Sequence, residues 1–162
     1  MLRMIAIVAG AVGVWLAVAA DVPRPVRLPL SGVVVGAVIT QPFGCTDLDL
    51  EPYDAWCPEH HFHTGIDLAA PTGTPVRSAT SGVARLGYDP DGCGIYVVVW
   101  ADPHVRILYC HLSEFSVRNG EAIRPGQLVG LLGATGNTTG PHVHLEVQVD
   151  GRPVDPATWI AS

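Results

Sequence analysis

An all-β domain is the fold class this sequence predicts, and three observations predict it. The 162 residues include 18 glycines and 14 prolines, a density of turn-formers and helix-breakers that favours short strands over a helical bundle. β-branched runs alternate with those turn signals along most of the chain. No long window carries a clean 3.6-residue apolar period, so an antiparallel β-sheet with almost no helix is expected.

Apolar residues make up 48% and charged residues 15%, enough to fill a core and unlike a disordered chain. The length suits one domain with a short appendage, at ~100 to 200 residues per domain. Residues 1–20 open with Met-Leu-Arg-Met and continue as an uncharged, mostly apolar run with small residues at Ala17 and Ala19, the pattern of a secretory signal peptide. An uncleaved anchor is the alternative, although the run is shorter than the ~20 residues that span a bilayer. A membrane partner is expected only in that case. Pro23, Pro25 and Pro29 give residues 21–30 the character of an extended linker, and the folded domain is assigned to residues 31–160.

Strands are expected at Val33 to Thr40, Ser81 to Gly87, Ile95 to Trp100, Val105 to His111, Leu128 to Leu132 and His142 to Val149. Ala101-Asp-Pro-His104 reads as a hairpin loop between two of them. One helical turn is allowed, at Asp155 to Ile160. Nine basic residues, all Arg, stand against fifteen acidic ones for a net charge of -6, so no nucleic-acid partner is expected.

Four cysteines in an exported chain suggest two disulfides, for which three connectivities exist. Cys45 and Cys57 bracket an acidic loop, and Cys93 and Cys110 fall at the open end of the hairpin, which favours pairing 45 with 57 and 93 with 110. A zinc site built from cysteines lacks CxxC spacing.

Seven histidines remain to be weighed one by one. His60, His61 and His104 lie in loops and are expected to be surface residues. In His142-Val-His144 the two imidazoles project from one face of a strand. Glu146 shares that face, either as a solvated edge carboxylate or as a hydrogen-bond acceptor behind an imidazole. His63 and Asp67 would stand ~13 Å apart in a fully extended stretch, so a bend at Gly65 is needed to bring them together. Two His and one carboxylate form a familiar catalytic zinc set with a fourth position left for water. His111 follows a strand on the face opposite Cys110. His111 and His142 would then be free to orient or deprotonate the attacking water and to stabilise an oxyanion.

Three ordered motifs carry a resemblance: His63-Thr-Gly-Ile-Asp-Leu-Ala-Ala-Pro-Thr-Gly-Thr-Pro-Val76, Tyr109-Cys-His-Leu112 and Gly136-Asn-Thr-Thr-Gly-Pro-His-Val-His-Leu-Glu146. Over residues 40–156 the chain resembles the lysostaphin-type, LytM-like zinc metalloendopeptidases of bacterial cell walls. The resemblance implies an antiparallel β-sheet of the duplicated hybrid-motif type with a narrow groove. It implies one zinc ion per chain held by His63, Asp67 and His144, and catalytic histidines at His111 and His142. It also implies hydrolysis of a peptide bond in peptidoglycan stems or cross-bridges. The chain departs from the pattern in the acidic loop from Cys45 to Cys57, which leaves substrate preference open. Two alternatives stand beside this reading: a non-catalytic scaffold or activator of the same fold, and a zinc peptidase acting on peptides outside the wall. A monomer is expected, working outside the cytoplasm.

Overall fold

The computed structural model describes residues 26–161; the expected signal peptide and the first half of the expected linker lie outside them. Within them the chain runs through a one-turn helix α1 (Leu30–Val33) and strands β1 (Val38–Gln41), β2 (Gly44–Thr46), β3 (His61–His63), β4 (Ile66–Ala69) and β5 (Pro75–Arg77). It continues through β6 (Gly82–Asp89), β7 (Gly94–Trp100), β8 (Val105–Phe115), β9 (Ala122–Ile123), β10 (Leu128–Leu132), β11 (His142–Val149) and β12 (Arg152–Val154), and closes with helix α2 (Pro156–Ala161). Every strand pairing is antiparallel. The main sheet runs β1-β4-β11-β8-β7-β6-β9, with β10 joined to β5 and β8 and β12 joined to β11, while β2 and β3 form a separate pair.

The strands expected at Leu128 to Leu132 and at His142 to Val149 form with those bounds, and Ala101 to His104 connects the β7–β8 hairpin. The run from Val33 to Thr40 does not form one strand. Val33 closes α1, Gly36 takes a positive φ of 78°, and the strand begins only at Val38. The apolar Val33 and Val34 therefore serve as buried anchors rather than as sheet residues. Residues 27 and 28 already lie on the domain: the Leu28 amide donates to the Ala79 carbonyl at 2.8 Å, and Arg27 donates to the Trp159 carbonyl at 2.6 Å.

Alternation explains the core. Val97 and Val99 of β7, Ile107 and Tyr109 of β8, and Val143, Leu145 and Val147 of β11 all point inward and are fully buried. The other face of β11 is left for polar side chains. Both expected disulfides form, Cys45 with Cys57 and Cys93 with Cys110.

Alternation fails at one place that matters. Ile95 pairs with Leu112 and Val97 with Tyr109, so β8 carries one extra residue in the Cys110-His111 step. His111 takes the left-handed φ of 61° there, and its amide donates to the Cys93 carbonyl at 2.8 Å. Cys110 and His111 are consequently both buried, one at the disulfide and the other at the groove. A bulge of this kind re-aims a side chain that strict pleating would have placed elsewhere, at the cost of local strain.

Candidate metal centre and active site

β4 and β11 pair with His144 opposite Asp67, and β3 enters beside them. The turn between β3 and β4 supplies the bend that the sequence required, and its glycine is needed for closeness rather than for φ. A Cβ on Gly65 would stand 2.5 Å from the Leu145 carbonyl oxygen and 2.8 Å from the His144 ring. His63 Nε2, His144 Nδ1 and Asp67 Oδ1 converge as a result. The two nitrogens are 2.9 Å apart and each is 3.1 Å from the carboxylate oxygen.

On three of the four rings the opposite nitrogen is held by a main-chain carbonyl. His63 Nδ1 donates to the Pro42 carbonyl at 2.8 Å, which leaves Nε2 without a proton in the neutral ring. His111 Nδ1 donates to the Thr135 carbonyl at 2.8 Å, and His142 Nδ1 to the Gly140 carbonyl at 2.9 Å. The His142 Nε2 lies 3.5 Å from Asp67 Oδ2, and the His111 and His142 rings meet edge to face with centroids 4.8 Å apart. Four imidazoles and one carboxylate thus crowd a single spot, with His63 fully buried and Asp67 and His111 each 7% exposed.

Electrostatics follows from that crowding. Burial works to raise the Asp67 carboxyl, but hydrogen bonds from His144 and His63 prevail and hold it well below the usual carboxylate range. Burial opposes charge on His144 as well, yet hydrogen bonds to Asp67 and Glu146 raise it to about 9. Burial, together with the neighbouring His142 and His144, pushes His111 down to about 4. The cluster so favours positive charge beside the Asp67 carboxylate, and in the metal-free chain that charge is the proton held by His144. His63, Asp67 and His144 offer ligand atoms all within 4.8 Å of one another, and a set of two nitrogens and one anionic oxygen fits a divalent metal.

The cluster floors a groove of about 530 Å³ whose walls include Leu48, Glu51, Asp91, Asn137 and Thr138. His60, His61 and His104 do not line it. His61 donates to the Glu51 carbonyl at 2.8 Å and so pins the acidic loop, while the exposed His104 pairs with Asp150 at 2.6 Å. Sequence reasoning missed Glu51, whose carboxylate reaches within 3.9 Å of His63 Nε2. Burial pushes that carboxyl up, against the lowering pull of His63 and His144. Nothing in its sequence neighbourhood separates it from Asp47, Asp49 or Asp54. The backbone acceptors at Pro42, Thr135 and Gly140 were equally invisible, since any residue type can present a carbonyl.

A His-Asp-His cluster in a groove on an antiparallel sheet, flanked by two further imidazoles, fits the class of metal-dependent hydrolases. Residues 61–156 match the model of Peptidase family M23, and the chain belongs to that family. It is 45% identical over 96 residues to the DD-carboxypeptidase/endopeptidase Mpg of Neisseria meningitidis serogroup B, covering 59% of this chain and 22% of that protein. The peptidoglycan DD-endopeptidase ShyA of Vibrio cholerae is 42% identical over 93 residues, covering 57% of this chain and 22% of its own. The matched stretch spans about a fifth of these curated relatives. The catalytic domain of the antimicrobial peptidase lysostaphin from Staphylococcus simulans superposes with a TM-score of 0.64 at 28% identity, covering 78% of this chain and 93% of that domain.

Proposed function

We propose that this chain is a zinc-dependent endopeptidase that hydrolyses peptide bonds in the stems or cross-bridges of peptidoglycan. One observation carries the proposal: His63 Nε2, His144 Nδ1 and Asp67 Oδ1 converge within 3.1 Å while Nδ1 of His63, His111 and His142 is committed to a carbonyl. Family membership and relatives named as peptidoglycan DD-endopeptidases support the substrate class. Two disulfides support action outside the cytoplasm.

His63, Asp67 and His144 would hold one zinc ion. When bound, zinc supplies Lewis-acid chemistry, polarising a carbonyl and making water acidic enough to attack at neutral pH. His111 is kept neutral by burial, so its Nε2 can accept a proton from the attacking water. That proton ends on the departing amine, completing hydrolysis without an acyl-enzyme. His142, oriented by Gly140, presents Nε2 to the same space and, when protonated, donates a hydrogen bond to the developing oxyanion. The groove holds the peptide against these groups, and Glu51 and Asp91 give its rim a negative character.

Digestion of purified peptidoglycan by the zinc-loaded protein, read by mass spectrometry, tests this. New amino termini without new reducing sugar ends, abolished by a chelator, are expected. Release of reducing ends alone, or cleavage of casein with every wall type left intact, would overturn the substrate assignment.

A further inference from the structure

His144 differs from the other three imidazoles of the cluster: its outward nitrogen meets side chains, not a carbonyl. Strand pleating sets His144, Glu146 and Gln148 on one face of β11, and β8 places Arg106 opposite Gln148. Arg106 Nε donates to Gln148 Oε1 at 2.7 Å, and Gln148 Nε2 donates to Glu146 Oε1. Glu146 Oε2 accepts from the Thr64 hydroxyl at 2.7 Å and lies 3.5 Å from His144 Nε2. Glu146 is 9% exposed, so this carboxylate is enclosed and is not the solvated edge residue that its strand position also allowed.

The direction of this chain is fixed from one end. A guanidinium can only donate, so Gln148 must turn its carbonyl oxygen to Arg106 and its amide nitrogen to Glu146. An ionised carboxylate can only accept, so its bond with His144 requires the proton on Nε2. Asp67 Oδ1 accepts in the same way from Nδ1 at 3.1 Å in the metal-free chain, so each nitrogen then carries a proton; with a metal bound, Nε2 stays committed to Glu146 and Nδ1, which faces Asp67 and His63, is the nitrogen left to give up its proton. We propose that Glu146 is a positioning residue which, held by Arg106 through Gln148 and by Thr64, fixes the His144 tautomer so that Nδ1 is its metal-binding atom. The pattern differs from that of His63, which offers Nε2 to the same centre because Nδ1 is committed to Pro42.

This inference rests on the zinc reading of the site, and the experiment separates the two. Zinc affinity is measured by chelator competition for the wild type, Glu146→Gln, Arg106→Gln and Thr64→Val, with His63→Ala as a control. Histidine nitrogens of the zinc-loaded protein are assigned by ¹⁵N NMR. Glu146→Gln puts an amide NH₂ where only acceptors fit, and its zinc affinity is expected to fall about 10- to 100-fold. Arg106→Gln and Thr64→Val, each removing one support of Glu146, should lose several-fold. In the wild type the His144 ring should show a protonated Nε2 and a zinc-bound Nδ1. Stoichiometric zinc bound through His144 Nε2, or unchanged affinity in a folded Glu146→Gln protein, would overturn the positioning role and leave the zinc site standing. A wild-type chain that bound no zinc, or no more than His63→Ala, would overturn both.

Discussion

Strands β3, β4 and β11 on one side, and the loop joining β2 to β3 on the other, border one groove but are built in opposite ways. The strands present His63, Asp67 and Glu146 from buried positions locked by sheet pairing and hydrogen bonds. The loop is held by Cys45–Cys57 and by the bond from His61 to the Glu51 carbonyl, and it leaves Trp56 95% and Tyr53 71% exposed. The contrast leads us to expect chemistry on the strand-borne wall and discrimination on the loop, since loops on a fixed scaffold can vary without disturbing the catalytic geometry.

The sharpest break should come on the rigid wall. His63→Ala, Asp67→Ala and His144→Ala are each expected to lose stoichiometric zinc and with it all measurable turnover, checked by metal analysis of the purified variants. The domain should stay folded, because the sheet core around Ile107, Tyr109 and Leu145 does not depend on the metal. If all three variants kept one zinc per chain, the strand-borne wall would not be the metal centre.

A step smaller, His111→Ala and His142→Ala should keep zinc and lose roughly 10²- to 10⁴-fold in turnover, the range for acid-base groups. Wild-type rates in either variant would return that residue to a structural role.

Next in size is an effect of pH on the metal-free protein. His144 is raised to about 9 from 6.5, so between those values the folded chain holds a proton that the unfolded chain has lost. Its contribution to stability is complete below about 6.5 and disappears as pH rises through about 9. Zinc takes that proton's place. The melting temperature of chelator-treated protein should therefore fall between pH 6.5 and 9, while that of the zinc-loaded protein should not follow it.

The loop should give the smallest effect on rate and stability and the largest on choice of substrate. Replacing Cys45 and Cys57 together by Ala is expected to shift the ratio of cleavage between walls of different cross-bridge type, with zinc content unchanged. If the ratio stayed fixed while zinc was lost, the loop would belong with the rigid wall after all.

What could be read from the sequence divides along the same line. The pleat alone placed His142 and His144 on one face, because a period of two is obeyed wherever one side of a strand packs on a core. The meeting of His63 with Asp67 could be anticipated from Gly65, though the true reason, the nearness of the Leu145 carbonyl and the His144 ring, exists only in three dimensions. The bulge that turns His111 into the groove could not be read, since Tyr109-Cys-His-Leu112 looks like uninterrupted strand. Helix α1 was concealed because its four residues, Leu30-Ser-Gly-Val33, include a glycine and run straight into the β-branched Val33-Val-Val35, and Glu51 by a loop that also carries Asp47, Asp49 and Asp54. Local pattern reveals what pleating dictates and is silent where a long-range contact decides.

The carbonyls behind His63, His111 and His142 have a consequence for how this domain tolerates change. A main-chain acceptor survives any substitution that preserves the fold, so the orientation of those three rings is shielded from point mutation at the residues that orient them. His144 has no such shield. Its outward partner is a side chain supported by other side chains, so substitutions there can tune metal affinity by degrees while the remaining three rings keep their aim. One ring of the four is thus held through four side chains, Thr64, Arg106, Glu146 and Gln148, each of which can be exchanged without touching the other three rings.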